Sequence, residues 1–552
     1  MSRFKRFKRF NHDDDEIQEN QENHDIKPES KTKSNIKSNF VQQAAFLTGA
    51  NLFVRLLGFL YRPFLTEFIG DEGNALYSVG YSFYVLLLVI SSAGLPSAIS
   101  KMVSERMARG QYYNAHQIFK AALRVSIISG LICSLILWFL AEAMAYFWNQ
   151  PGSALAIQAL APTVTIVAIM SVFRGYFQGM YNSVPTALSQ VVEGVFNAFF
   201  TVYMAFIFRE QLEYAAAGGA AGTGIGATAG LLVATIIYML LRKRITDRVK
   251  EDTTKRRERP MDLTRELLLT SLPIIMGSAV FSVMTLIDIR MITDGLYATA
   301  LYDESQIGAL LGQYTGKFIV LTTLPVAIST ALSQALVPSI AGNRVAENRD
   351  AIREIINRAL RISMLISIPA AMGMGVMAAP ILSLLFPNHP EGAQLLQVGA
   401  ISIIFMALAA VATGMLQGLG KVTIPCIAAF VGIIVKIPLN YHLIGNPNIN
   451  ITGVVISTIA CYVMVALVNV GYLKWHTRVV IDWLGVFVKP LIASLVMGLA
   501  CYVSYNAFME LSFYQNVPST LAAIGVGVMV YFMALLLLGG IYKDDIGRFG
   551  VS

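Results

Sequence analysis

Two arginines, Arg55 and Arg62, lie inside the first strongly apolar segment of the chain. A guanidinium at bilayer depth costs at least ~2.5–3.5 kcal/mol, so such residues normally face a bundle interior or a water-filled cavity. Seven positions apart on a helix, the two lie about 10 Å from each other on nearly the same face. Two cations on one face of a membrane helix predict a binding site for an anion.

The further charged residues inside the apolar segments include Glu67, Arg174, Glu193, Asp288, Arg290, Lys317, Lys436 and Lys489. Lys317, Glu193 and Lys436 lie about two turns or more from a segment end, where they reach water only through a cavity. Arg174 and Lys489 lie near segment ends, where a long side chain can also extend to the membrane surface.

From these residues we predict a central cavity in which Arg55, Arg62 and Lys317 attract phosphate by charge and by forked hydrogen bonds from arginine. Arg174 is a further candidate contact to the substrate. Three residues are candidate counter-ions or ion-coupling groups, namely Glu193, Asp288 and Arg290. The alternative is that all these charges form ion pairs that hold the helices together.

The composition is that of a polytopic membrane protein. The 552 residues are 55% hydrophobic and 14% charged, whereas soluble proteins carry about 25% charged residues. The four cysteines lie in apolar segments without metal-ligand spacing, and the sequence has no Walker loop, HExxH or GxSxG motif. We therefore predict no metal, no cofactor and no enzymatic activity.

The net charge of +8 comes from basic residues that are distributed according to membrane topology, so it does not indicate a nucleic-acid partner. Fourteen apolar runs are long enough to span a bilayer: 41–69, 76–99, 119–145, 154–179, 185–208, 214–241, 267–295, 309–340, 358–386, 393–419, 423–444, 451–473, 484–507 and 517–541. Basic residues crowd alternate loops, with ten between Arg242 and Arg265, whereas the opposite loops contain only Arg209. The positive-inside rule then predicts that both termini are cytoplasmic in a plasma-membrane protein.

An internal repeat divides the chain. Asn149-Gln150-Pro151 matches Asn388-His389-Pro390 at an offset of 239, and the same offset pairs Gly175 with Gly414 and Gly179 with Gly418. Six spans separate the copies, so the repeat is parallel, as in transporters whose halves enclose a central site. The predicted units are a disordered cytoplasmic tail (1–40), an N-lobe (41–242), a basic linker (243–266), a C-lobe (267–475) and a final helix pair with a tail (476–552).

Several segments resemble a known family. The stretches 55–62 and 68–70 resemble the first helix of the MurJ-type lipid II flippases, and 314–317 with 336–339 resembles their eighth helix. The stretch 94–101 resembles the branch represented by SpoVB and YtgP. The resemblance implies an all-α fold of fourteen transmembrane helices within the multidrug/oligosaccharidyl-lipid/polysaccharide exporter superfamily, with two six-helix lobes and a C-terminal pair.

The resemblance also implies a function, the movement of an undecaprenyl-pyrophosphate-linked glycan, with lipid II as the first choice. The family's cationic cavity residues correspond to Arg55, Arg62 and Lys317, and Val320 and Leu88 stand where better-known members carry charged residues. Expected partners are the lipid-linked glycan, anionic membrane lipids near the basic amino terminus and cell-wall synthesis proteins, with no nucleic acid.

Three alternatives remain at this point. A flippase for a capsule, teichoic-type or spore-cortex precursor would use the same phosphate chemistry. A cation-coupled multidrug exporter would need an acidic cavity, which the arginines of the first span disfavour. A membrane scaffold for wall or spore-coat assembly has no need of cations buried at such cost.

Overall fold

The computed structural model describes residues 29–252, 257–345, 347–511 and 515–540. These residues form α-helices and short helical turns without strands, which confirms the predicted all-α class. The helices are α1 (Glu29–Ser92), α2 (Leu95–Ala108), α3 (Tyr112–Phe139), α4 (Ala141–Phe147), α5 (Ala154–Gly179), α6 (Val184–Ile207), α7 (Leu212–Lys250), α8 (Pro260–Thr299), α9 (Glu304–Gly312), α10 (Ile319–Val345), α11 (Arg349–Val376), α12 (Ala378–Leu385), α13 (Ala393–Gly399), α14 (Ser402–Gly418), α15 (Thr423–Ile444), α16 (Thr452–Thr477), α17 (Lys489–Leu511) and α18 (Asn516–Leu537).

Helix α1 is two helices joined at Gly70, whose φ of 63° and ψ of −172° are not helical. The side chains of Thr66 and Asn74 are hydrogen-bonded across the break at 2.8 Å, and Arg62 contacts Tyr77, fifteen residues further on. Fifteen residues of straight helix would span about 22 Å, so the chain bends sharply at Gly70. The sequence predicted a loop at 70–75, between the first two apolar runs. That prediction is wrong, because the single residue Gly70, in the left-handed region, makes the turn and the chain is helical again after it.

The number of membrane spans is twelve by length and hydropathy in the described residues, or thirteen if the bent pair α13 and α14 counts as one. One of the twelve is the 60-residue stretch Gly49–Ala108, about 90 Å of helix and about three times the thickness of the hydrocarbon core. Counting it as two spans on either side of Gly70 gives the predicted fourteen, and that number stays a prediction.

The two halves of the chain pack in the same pattern. In the first half (α1–α7), α5 packs against α2, α3 and α7, and in the second half (α8–α16), α14 packs against α10, α11 and α16. Gly175 of α5 abuts Pro96, and Gly414 of α14 abuts Ser333, so closely that a Cβ would approach backbone oxygen to 2.8 and 2.5 Å. The repeated glycines thus allow equivalent helix pairs to approach closely in both halves.

The remaining elements lie at the ends of the predicted units. Helices α17 and α18 pack on each other, and α17 packs on α11. Helix α1 begins at Glu29, inside the predicted tail 1–40. The rest of that tail, part of the basic linker and the carboxyl-terminal tail (1–28, 253–256 and 541–552) lie outside the described residues.

Candidate anion-binding site and buried charges

Arg62 lies in the bend of α1 without a carboxylate partner among the described residues. Its guanidinium carbon is 4.9 Å from the centroid of the Tyr77 ring and 5.8 Å from that of Tyr61. Its Nη1 atom is buried and makes no hydrogen bond of ordinary geometry to a residue that the structure describes. The Gly70 bend positions this group, since it brings the second part of α1 back against the first.

A row of tyrosines continues from Arg62 along the second part of α1. Tyr77 and Tyr81 are stacked with centroids 5.9 Å apart, and Tyr84 follows at 5.5 Å from Tyr81. Tyr77 and Tyr84 are buried, whereas Tyr81 is 36% exposed. The sequence analysis did not predict these residues. Tyrosines that line a binding site and tyrosines that only pack between helices have the same pattern in an apolar segment.

Arg55 is exposed, and its Nη1 donates a hydrogen bond of 3.0 Å to the hydroxyl of Thr330 on α10. It has no carboxylate within 4 Å among the described residues. Because α1 and α10 belong to different halves of the chain, Arg55 lies where the two halves meet. This position fits a cation that faces a space between the halves.

Arg174 and Glu193 form an ion pair within the first half. Arg174 Nη2 donates to Glu193 Oε2 at 2.6 Å and to the hydroxyl of Ser189 at 2.9 Å. This pair joins α5 to α6. The predicted roles of Arg174 as a substrate contact and Glu193 as an ion-coupling group therefore stay predictions, and the observed geometry favours a structural pair.

Lys317 links the two halves of the chain. It lies in a π-helical turn, Gln313–Phe318, and is 1% exposed. Its Nζ donates to Asp71 at 2.8 Å and to the carbonyl oxygens of His389 and Glu391. Its described partners are oxygen atoms of Asp71, His389 and Glu391, at the contact between the two halves. In this conformation the geometry favours a structural role for Lys317, as an ion pair that joins the two halves. The predicted contact of Lys317 with phosphate stays a prediction.

The contact around Asp71 is close. Gly312 packs so tightly against the Asp71 carbonyl that a Cβ there would lie 1.7 Å from the oxygen. Glu72 accepts a hydrogen bond from Ser305, and Glu67 accepts one from Asn388. The stretch 67–72 is thereby bonded to three segments of the second half.

Asp288 and Lys436 form a second buried ion pair, between α8 and α15. Asp288 Oδ1 also accepts a hydrogen bond of 3.0 Å from Asn440, which in turn accepts one from Ser457 of α16. Arg290 instead pairs with Asp294, one turn along α8 at 2.7 Å, and donates to the carbonyl of Phe147. Of the cations considered for Asp288, the structure selects Lys436.

This fold is that of the MurJ and MATE membrane proteins. The structure matches a lipid II flippase MurJ in an inward closed conformation with a TM-score of 0.65 and 16% identity, over 91% of this chain and 99% of that one. It also matches an inward-facing multidrug resistance MATE transporter with a TM-score of 0.62 and 15% identity, over 77% and 98% of the two chains. At these identities the likeness concerns the fold.

The sequence places the chain in a family. Residues 40–344 match the model of the polysaccharide biosynthesis protein family, and residues 273–442 match that of the MatE family. The first match covers more than half of the 552 residues. The chain belongs to the polysaccharide biosynthesis protein family and is an integral membrane protein.

Three Bacillus subtilis proteins are similar over nearly their whole length. The membrane protein YabM is 29% identical over 92% of this chain and 94% of its own length. Stage V sporulation protein B is 26% identical, over 93% and 98%. The lipid II flippase MurJ is 25% identical, over 92% and 97%. These matches confirm the resemblance to the MurJ and SpoVB proteins that the helix motifs indicated.

Proposed function

We propose that this chain is a flippase that moves lipid II, the undecaprenyl-pyrophosphate-linked peptidoglycan precursor, from the inner to the outer leaflet. The two halves rock about a central site and expose it alternately to each side. Arg62 and Arg55 bind the pyrophosphate, and the polyprenyl tail stays in lipid. No covalent bond of the substrate changes, so the protein is a transporter and not an enzyme.

The observation that carries this proposal is the contrast among the membrane cations. Arg174, Lys317 and Lys436 each contact a carboxylate, whereas Arg55 and Arg62 have none in the described part of the chain. A cation without a partner at membrane depth is costly unless a ligand supplies the negative charge. The MurJ relative, by its name a lipid II flippase, supports phosphate as that ligand.

A second candidate substrate is another lipid-linked glycan, such as a capsule, teichoic-type or spore-cortex precursor. Stage V sporulation protein B is as similar to this chain as MurJ is. Both substrates present the same pyrophosphate to Arg55 and Arg62, so the sugar has to be identified by experiment.

The decisive experiment depletes the protein in its own cells and identifies the undecaprenyl-linked intermediate that accumulates. We expect lipid II to accumulate, and wild-type protein supplied in trans should clear it. The Arg55→Ala and Arg62→Ala variants should fail to clear it, because each loses a charge-assisted hydrogen bond of about 1.5–3 kcal/mol.

The matched control is Arg209→Ala, which removes a surface arginine that stacks on Phe206. This variant should clear the intermediate normally. Accumulation of a different lipid-linked glycan would select the second candidate substrate. If both arginine variants are present at wild-type levels and clear lipid II fully, the phosphate site is refuted.

The direction of transport depends on cytoplasmic termini. In a background without the four native cysteines, Asn448→Cys should react with an impermeant thiol reagent in intact cells, and Thr246→Cys should react only after lysis. Both positions are exposed, between α15 and α16 and near the end of α7. The reverse labelling pattern would overturn the predicted orientation.

A further inference from the structure

We infer that Tyr77 binds the phosphate of the substrate together with Arg62, so that the anion site is an arginine and tyrosine pair on the two parts of α1. This inference rests on the proposed function, because it assigns a further residue to the same site. The ligand class is a phosphate or pyrophosphate group, carried by a lipid or free.

The first observation is a pair of unfilled hydrogen-bonding groups. Arg62 Nη1 and the Tyr77 hydroxyl are both buried, and neither makes a hydrogen bond of ordinary geometry to a described residue. Leaving such a group unpaired costs about 1–3 kcal/mol, and native structures retain few of them. Here two such groups are adjacent, the cationic guanidinium of Arg62 and the neutral hydroxyl of Tyr77. Both are donors, so a single anion with several acceptor oxygens can bind to both.

The second observation is how the two side chains hold each other. The Arg62 guanidinium lies 4.9 Å from the centroid of the Tyr77 ring, within the range of a cation–π contact. That contact restricts the orientation of the guanidinium and leaves its N–H edge for a ligand. The phenol of Tyr61 lies beside both groups, close enough for a weak hydrogen bond to each, so a phosphate at this point replaces Tyr61 as their partner.

The third observation is access. Tyr81, stacked on Tyr77, is 36% exposed and lies within electrostatic range of Arg62 and of Glu193 on α6. An exposed side chain that has charged neighbours from two helices faces a cleft between those helices rather than the lipid. A phosphate entering this cleft passes Tyr81 to reach Tyr77 and Arg62.

The test is Tyr77→Phe, which removes only the hydroxyl and keeps the ring against Arg62. Full-length protein in detergent is titrated with undecaprenyl pyrophosphate, with inorganic pyrophosphate and with neutral undecaprenol, and binding is read from ligand-induced thermal stabilisation. We expect affinity for undecaprenyl pyrophosphate to fall about tenfold, the worth of one hydrogen bond to a charged group. Undecaprenol binding should not change, and the melting temperature without ligand should stay equal or rise, because the variant removes a buried hydroxyl that lacks a well-formed hydrogen bond.

Tyr84→Phe is the matched control, because Tyr84 is buried in the same row but does not contact Arg62. It should bind undecaprenyl pyrophosphate like the wild type. An equal loss for inorganic pyrophosphate in Tyr77→Phe identifies the anion itself as the ligand, and a loss confined to the lipid identifies the lipid headgroup.

Two results would overturn the inference, and they differ in what else they remove. If the wild type prefers undecaprenyl pyrophosphate over undecaprenol but Tyr77→Phe binds it unchanged, a water fills the hydroxyl's position and only Tyr77 is withdrawn. If the wild type shows no preference for the pyrophosphate lipid, the proposed function fails, and the inference fails with it.

Discussion

The first part of α1 and the interior of the second half hold their membrane-segment cations in opposite ways. In the second half, Lys317 and Lys436 each bind a carboxylate and further hydrogen-bond partners. On α1, Arg62 has an aromatic ring and an unfilled N–H, and Arg55 has a single hydroxyl. A paired cation contributes to the folded structure, whereas an unpaired one on a membrane helix is available for a ligand.

The largest expected effect comes from breaking the most buried pair. Lys436→Met leaves Asp288 charged and 4% exposed, which should lower the free energy of unfolding by about 3–5 kcal/mol. Adding Asp288→Asn should recover much of that loss, because no uncompensated charge remains. Thermal unfolding of detergent-solubilised protein measures both variants. A single variant as stable as the wild type would show that the pair does not hold α8 to α15.

Variants of the Lys317 and Asp71 pair distinguish two roles of Lys317, a structural ion pair between the halves and a contact to phosphate. Asp71→Asn should destabilise the protein by less than the Lys436 change, because Glu391 Oε2 lies 4.0 Å from Lys317 Nζ and remains as a partner. Lys317→Met leaves Asp71 without its cation and should destabilise the protein by no more than the Lys436 change, because Asp71 is slightly less buried than Asp288. The exchanged variant, with Asp71→Lys and Lys317→Asp together, should recover part of the stability and transport if the pair joins the halves, because an aspartate at 317 cannot donate to the carbonyls of His389 and Glu391. If Lys317 instead contacts phosphate, Lys317→Arg retains transport and the exchanged variant does not.

These pairs also show what sequence could and could not predict. Hydropathy predicts an all-helical membrane protein because each apolar run is long, and the offset of 239 identifies Gly175 and Gly414 as equivalent contacts. The partner of Lys317 was missed because Asp71 follows the Gly70 turn, in a stretch expected to be an external loop. Which carboxylate meets which cation depends on how helices distant in sequence pack, and residue spacing does not encode that.

A smaller effect is expected where the repeat packs through glycine. In Gly414→Ala the new methyl would lie 2.5 Å from the Ser333 carbonyl oxygen, so α10 and α14 must separate. Overpacking of this kind costs about 1–3 kcal/mol. Gly471→Ala, with open space around its Cβ, is the matched control and should leave the melting temperature unchanged. Equal behaviour of the two variants would show that the close approach is not required.

The smallest effect on stability is expected at Arg62, and it tests the comparison most directly. Arg62→Ala removes a buried cation that has no carboxylate partner in the described structure, so the free energy of unfolding should stay equal or rise. Arg174→Ala, the matched variant in the same half, leaves Glu193 unpaired and should destabilise the protein, by less than the Lys436 change because Glu193 is partly exposed. Thermal unfolding without ligand compares the two, and clearance of the accumulated lipid intermediate reports transport.

Loss of transport at full stability for Arg62→Ala identifies a ligand-binding cation. A loss of stability like that of Arg174→Ala would instead place Arg62 among the structural charges, and the distinction between α1 and the second half would fail.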